Sequence, residues 1–596
     1  MSIRGKLFRK SLSGVAVIGV AALALTACTT SGSPDPTDTD AAATGGTVTV
    51  AIVNDFTSFN NQTPQSNLDT NGIVGYLMGN YGSAFSYIDP EFNLVHEEEF
   101  GTFEKTSDDP QTVTYTLNPD NKWSDGEPVT ADDMVYAWAV GSGYYNSATT
   151  DPETGDVLTG TQYFELAGST AGLDTTEFPE VSDDNLSMTL VYGTPFADWE
   201  IVNPIAQPAH IVAKKAGLSS AADLTALLKS LPKGDPANPA AVDPTLKAAA
   251  DFVNTGYDVT AFPTDPDLLV SSGPMVPTGW TPGQSFTMER NEFYVAGMKP
   301  KIDKLIMRVI PDANAEVTAL QNGEVDIMYP QASADTLTAL ENTGADVLTG
   351  DQLSYDHVDL NFGSTTFADL NVRQAFLKTI PRQQILDSLI TPINPDAEVL
   401  NSQIWVPANE PYSDSVANNG SSDYAEVDIE GAKALLAGAT PTVSILYNTK
   451  NPNRVDTFQA IQESASQAGF VIVDKGSPDW SSLLAGGDYE ASIFGWISPG
   501  VGTAGIPQIF STDGGGNYSR YTGTNDDAIL TQTTLDPDEL VTIEKRIDKQ
   551  MFADAYGLPL FQLPGVYGVS KRVSGVEYMG NQTGPFWNFW EWSVNE

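Results

Sequence analysis

A chain of 596 residues is too long for one hydrophobic core, so two or three lobes are expected. Its 29 Lys and Arg against 77 Asp and Glu give a formal charge of −48, which repels phosphate backbones and excludes nucleic-acid binding as a main task. One cysteine excludes an internal disulfide or a cysteine-based zinc cluster, and three scattered histidines, His96, His210 and His357, form no metalloenzyme pair.

The chain opens with Arg4, Lys6, Arg9 and Lys10, followed by an apolar run over residues 12–25. That run is shorter than the roughly 20 apolar residues a bilayer crossing needs. A basic start, a short apolar centre and a small-residue end predict an export signal over 1–27. The end, Leu25-Thr26-Ala27-Cys28, resembles the lipobox of bacterial lipoproteins. The resemblance implies cleavage before Cys28, acylation of its thiol, and anchoring at the outer face of the cytoplasmic membrane. The alternative is an ordinary signal peptide with an unrelated or buried thiol. Residues 29–46, TTSGSPDPTDTDAAATGG, lack large apolar groups and predict a flexible tether beginning at Cys28.

Beyond the tether, strands and helices alternate. The β-branched run over 47–53 predicts a buried first strand, and 112–117 a second. Thr130 with Asp133 three residues on reads as a capping box for a helix whose buried side holds Met134, Val135 and Trp138. Asp312 caps a helix stopped by Gly323, and a strand resumes over 325–329. Further helices are predicted over 370–380, 429–436 and 455–468. The last starts at Asp536-Pro537, with Leu540, Ile543, Ile547 and Met551 as its core stripe. Residues 141–180 and 231–266 read as irregular excursions. Trp123 reads as packing, Arg290 and Arg308 as ion-pair partners, and Arg373 and Arg382 as helix-face charges. The alternation argues for α/β lobes around mixed sheets.

Four blocks carry more than periodicity. They are YTLNPDNKWSDGEPVTADDMVYAW (115–138), SGPMVPTGWTPGQSFTMERNEFYVAGMKPKIDKLIMRVIPDANAEVTALQNGEVDI (272–327), VDLNFGSTTFADLNVRQAFLKTIPRQQIL (358–386) and GDYEASIFGW (487–496). In this order they resemble the family 5 solute-binding proteins of ABC importers, the peptide/nickel/oligopeptide class. The resemblance implies an α/β, periplasmic-binding-protein-like (type II) two-lobe clamp with mixed sheets and an inserted subdomain. Lobe I would comprise 47–87, 204–330 and 563–596, with 88–203 inserted; lobe II would comprise 331–562. Crossings near Tyr329 and residues 558–563 would form the hinge.

The same resemblance implies where ligand sits. Trp496, Gly495 and Trp480 match pocket-wall positions, Asn517 and Tyr518 further polar contacts, and Asn61 and Thr63 a backbone that pairs with an extended peptide. The alternative is that Trp496 ends a buried strand and Trp480 packs in a lobe core. Relatives that bind oligopeptides hold the ligand's ammonium with an aspartate three residues after the equivalent of Trp496; this chain has Pro499 there. Either another acid such as Asp513 supplies the charge, or the ligand lacks a free amine. The expected role is capture of a peptide-like ligand for an ABC permease, by a monomer with no catalytic residue, cofactor or metal. An oligosaccharide receptor or a peptide-signal sensor of the same fold is the alternative, and an extracellular hydrolase a minor one. A nickel chelate fits least.

Overall fold

The computed structural model describes residues 45–80, 84–150, 157–497 and 502–595. The expected export signal, Cys28, nearly all of the tether and Pro499 lie outside them.

A ten-stranded mixed sheet runs through the described body. In spatial order its strands are Met275–Thr281, Ser285–Arg290, Lys304–Val309, Thr47–Ile52, Ile327–Met328, Gly557–Val569, Asp346–Leu360, Ala491–Ile497, Thr442–Tyr447 and Val471–Asp474. The first strand ends one residue before the predicted limit and lies parallel to Lys304–Val309, with Val48 and Val50 fully buried. Two long antiparallel strands, Asp346–Leu360 and Gly557–Val569, hold the middle of the sheet. Their ladder pairs 346–351 with 564–569, slips, and resumes from Tyr355 opposite Gln562. On one side of the slip Leu558, Leu560 and Phe561 join a core with Val358, Phe376, Ile445 and Ile493. On the other, Tyr567 and Val569 join a core with Val48, Phe286, Met307 and Trp592. One continuous pair of strands therefore serves two cores.

Residues 84–298 supply a third and larger core around Trp123, Tyr115 and Trp138. Its own four-stranded sheet has the order Gly101–Asp108, Gln111–Leu117, Ser187–Val191 and Glu180–Val181. The Ala131–Gly141 helix covers it and starts at the expected capping box of Thr130 and Asp133. Trp123 is fully buried, donating its indole N–H to the Asp133 carboxylate at 3.3 Å. Arg308 pairs with Glu324 at 2.6 Å, and Arg290 with Asp303, as their charge predicted.

Other elements differ from expectation. Residues 231–266 hold a helix, Pro244–Thr255, capped by Asp243 with Leu246, Ala249, Ala250 and Val253 buried. Its Asp-Pro start and apolar stripe were overshadowed by the surrounding Pro and Ala. Residues 141–180 include a short hairpin, Thr149–Thr150 against Val157–Thr159. The strand expected over 325–329 shortens to Ile327–Met328.

Arg373 and Arg382 are not surface charges. Arg382 is 2 % exposed and donates to the carbonyls of Leu400, Pro559 and Tyr424, while burial lowers its pKa to about 10. Arg373 donates to the carbonyls of Phe367 and Asp554. Both guanidiniums are held by backbone carbonyls, so neither needs an acid and neither shows in a charge pattern.

Candidate functional site

The strand Ala491–Ile497 pairs antiparallel with the far half of Asp346–Leu360, placing Trp496 opposite Tyr355 and Phe494 opposite His357. Opposed residues of an antiparallel pair share a face, so these rings gather. Trp496 lies T-shaped to Phe494 at 5.3 Å and parallel to Tyr518 at 6.0 Å and 3°. Trp480 completes the cluster 6.0 Å from Phe494. Trp496, Trp480 and Tyr518 remain half-buried, each packed against a small core of Leu446, Leu484, Tyr489 and Phe494. Three of the sequence candidates therefore form one aromatic wall.

Gly495 belongs to the opposite face of the same strand. A side chain there would come within 2.7 Å of an Asp356 carboxylate oxygen and 3.2 Å of the Arg454 guanidinium. These two form a buried pair at 2.9 Å, and the guanidinium lies 5.2 Å from the Trp480 ring centre. Behind the wall, His357 Nδ1 meets Asp359 at 2.7 Å. His357 Nε2 and the Trp496 indole N–H are both buried without a hydrogen-bond partner among the described residues. Most buried polar groups in folded proteins are hydrogen-bonded.

The remaining candidates fall elsewhere. Asn517 is consumed by its own loop: its amide donates to the carbonyls of Ser511 and Tyr521 and accepts from Tyr521 N–H. Asp513 is exposed on that loop. Thr63 is 1 % exposed, its hydroxyl bonded to Ser66. Its segment is a turn, whose Gln62 carbonyl is already taken by Ala167 N–H at 2.6 Å. Asn61 lines a cavity of about 300 Å³ with Asn67, Asp69, Ile73, Asn581 and Gln582.

A second cavity of about 220 Å³ shares Asp69, Ile73, Asn581 and Gln582 with the first. It continues to Tyr329, Gln331, Gln352, Ser354 and Val566, beside the slip of the two long strands. The two cavities adjoin at these shared residues, and the chamber they outline is lined from the helix Asp69–Leu77, the 579–584 segment and the crossing strands. Ser354 lies one residue along the strand from Tyr355, the partner of Trp496. Sequence reasoning missed Asp69, Asn581 and Gln582 because they come from opposite ends of the chain and carry no local pattern.

At another place the segment 197–201 meets 502–504. The Asp198 carboxylate accepts Thr503 N–H at 2.7 Å and Ala504 N–H at 2.9 Å, and Ala197 N–H donates to Gln532 at 2.7 Å. Burial raises the Asp198 carboxyl above its ordinary range. Among the described residues no group of three His, Cys, Asp or Glu could hold a metal ion, and no helix is long and apolar enough to cross a membrane.

Residues 97–518 match the family described as bacterial extracellular solute-binding proteins, family 5 middle. Among curated proteins, the oligopeptide-binding protein OppA of Mycobacterium tuberculosis is 25% identical over 494 residues, 80% of this chain and 74% of OppA. Among solved structures, the periplasmic EDTA-binding protein EppA superposes with a TM-score of 0.77 at 22% identity, covering 93% of this chain and 97% of EppA. The oligopeptide-binding protein AppA of Bacillus subtilis, in complex with a nonapeptide, gives 0.67 at 18% identity, covering 93% and 100%. The structural likenesses show the fold: an α/β clamp of two lobes, of the type II periplasmic-binding-protein kind.

Proposed function

Because this chain belongs to the bacterial extracellular solute-binding proteins of family 5, we propose that it captures a peptide-like solute in the chamber between its lobes and hands it to an ABC permease. The observation that supports this best is the chamber itself. It is lined by carboxamides able to donate to and accept from peptide groups, and it lies beside the strand slip that a hinge would use. OppA and AppA, by their names, bind oligopeptides. In this reading lobe I holds 47–87, 204–330 and 563–596 with 88–203 inserted, and lobe II holds 331–562. Trp496, Tyr518 and Trp480 supply a flat wall tolerant of many side chains, Gly495 makes room behind it for the Asp356–Arg454 pair, and Asn61 contributes from the other lobe.

The family is extracellular. Attachment to the membrane through an acylated Cys28 is part of the proposal, resting on the only thiol standing at the end of a lipobox-like sequence. In a host with lipoprotein processing, Cys28→Ser is expected to leave the membrane fraction; a variant still acylated and membrane-bound refutes the anchor.

Native mass spectrometry of the full chain tests the solute. A ladder of bound masses spaced by amino-acid residues is expected. Masses spaced by hexoses would replace the peptide reading with the oligosaccharide one, and a protein that ignores a mixed peptide library would overturn it.

A further inference from the structure

Arg454 stands where its own helix disfavours it. It is the third residue of the helix Pro452–Ala468, and a cation in the first turn opposes the helix dipole. It is also 9 % exposed, so water does little to screen its charge. Its Nε and Nη2 donate to the two carboxylate oxygens of Asp356, at 3.3 and 2.9 Å, and Asp356 is 1 % exposed. A buried ion pair often holds a fold no better than apolar residues of the same size. Stability alone therefore does not account for this one.

Two neighbours constrain the pair. Asp356 lies opposite Gly495 in the ladder of Asp346–Leu360 with Ala491–Ile497, and opposed residues share a face. The φ of Gly495 lies outside the left-handed region, so the backbone there does not ask for glycine. The space does: a Cβ at 495 would stand 2.7 Å from the Asp356 carboxylate and 3.2 Å from Arg454 Nη2. The second neighbour is Trp480, whose ring centre lies 5.2 Å from the guanidinium. Trp480 opens a helix of five residues, Trp480–Leu484, in which only Leu484 is buried. That helix does little to hold the ring. Phe494 meets it at 6.0 Å from the wall face of the strand, and Arg454 meets it from the face of Gly495.

We infer that Arg454 is a positioning residue of the solute site: paired with Asp356 in the space Gly495 leaves, it fixes the Trp480 ring against Phe494 and so sets how well the wall stacks an apolar or aromatic side chain of the ligand. The inference rests on the reading of the aromatic wall as part of that site. A cation held away from water is the strong form of the contact with an indole face. Asp356 keeps the cation in place and cancels its charge, so the pair presents no net charge to the ligand. Arg454 acts through Trp480 and does not itself touch the solute.

Fluorine NMR of the full chain carrying 5-fluorotryptophan reads the ring directly, with the Trp480 line assigned by its loss in Trp480→Phe. A soluble gadolinium chelate broadens that line as the ring becomes exposed. Arg454→Met removes the cation and Gly495→Ala crowds the pair; each is expected to raise the broadening clearly above wild type. Arg454→Lys keeps a cation and is expected to stay near wild type. An unchanged Trp480 line in either folded variant, or an Arg454→Lys line as exposed as that of Arg454→Met, overturns the inference. Loss of folding in both Arg454→Met and Gly495→Ala, read by circular dichroism, makes the pair structural and overturns it too.

Titration calorimetry with pentaalanine and with the same peptide carrying one central phenylalanine follows the ring to the ligand. Wild type is expected to prefer the phenylalanine peptide by about fivefold, the scale of one aromatic contact. That preference should be lost in Arg454→Met and Gly495→Ala and return in Arg454→Lys. A preference that survives in variants whose Trp480 line has moved overturns the inference. If neither peptide binds, or wild type binds both equally, the reading of the wall as a peptide site fails by itself, and the Trp480 line still decides whether Arg454 positions the ring.

Discussion

Asp548 and Asp198 are buried carboxylates in two regions with opposite designs. Asp548 sits fully buried on the helix Pro537–Ala553, and all its donors come from one nearby stretch: Ser402, Gln403 N–H, Ser415 and Asn419, at 2.6 to 3.0 Å. Asp198 is 5 % exposed, and its donors are two backbone amides of a segment three hundred residues away, Thr503 and Ala504. The first carboxylate cannot lose its partners without unfolding its surroundings. The second can lose them by a movement of 197–201 away from 502–504. The same chemistry therefore ties a helix to its immediate surroundings in one place and joins two segments distant in sequence in the other.

The contrast breaks most visibly at Asp548. Asp548→Ala leaves two hydroxyls, an amide and a backbone N–H buried without their acceptor, each worth about 1–3 kcal/mol when unpaired. Partial relaxation brings the expected loss to about 3–5 kcal/mol, as for breaking a buried charged network. Denaturant unfolding should read it as a lowered midpoint, while ligand affinity of the folded fraction stays near wild type. A loss below about 1 kcal/mol would mean that the cluster is not structural.

Asp198→Asn sharpens the same comparison with a smaller effect. The amide keeps one acceptor but turns donors toward the Thr503 and Ala504 N–H groups, and the charge-assisted part of the contact, about 1.5–3 kcal/mol, is largely lost. Opening rehydrates the freed amides, so the cost falls on closure and stability changes little. Small-angle scattering of the ligand-free variant should give a larger radius of gyration than wild type, and affinity for any ligand should drop about tenfold for each 1.4 kcal/mol of closure lost. Equal radii and equal affinities would show that the contact does not govern closure.

What was legible in the sequence follows the range of the interaction that fixes each element. Local chemistry was enough for the capping box at Thr130, for Asp312, and for the helix starting at Asp536-Pro537. The helix Ile429–Leu436 matches its predicted limits. Of the aromatic wall, Trp496 and Trp480 were legible through the family resemblance, while Tyr518 was expected as a polar contact and Phe494 was not singled out. Arg382 was misread since its partners are carbonyls, which no residue type announces. The chamber and the Asp198 contact were invisible for the same reason: Asp69 and Gln582 come to line one cavity, and Asp198 meets Thr503, only through the tertiary fold.

The smallest expected effect comes from protons at the 197–201 contact. Glu544 lies near Asp198, and burial first, then the charge of Asp198, push its carboxyl up to about 7 from an ordinary 4.5. If 197–201 moves away on opening, Glu544 regains water, loses that neighbour, and returns toward its ordinary value. The closed form would then bind more protons than the open form between the ordinary 4.5 and about 7, and linkage sets the sign: closure is expected to be favoured as pH falls through this window and weakened as pH rises to 7. Above 7 Glu544 is charged in both forms and the dependence levels off. The same sign holds against unfolding, where a raised native carboxyl makes stability fall as pH rises through the window. Scattering of the ligand-free chain at pH 8 and pH 5.5 is expected to show the smaller radius at pH 5.5, and Glu544→Gln to remove most of that difference. An identical pH response in wild type and Glu544→Gln would place the proton elsewhere and leave Asp198 acting through its two hydrogen-bonded amides alone.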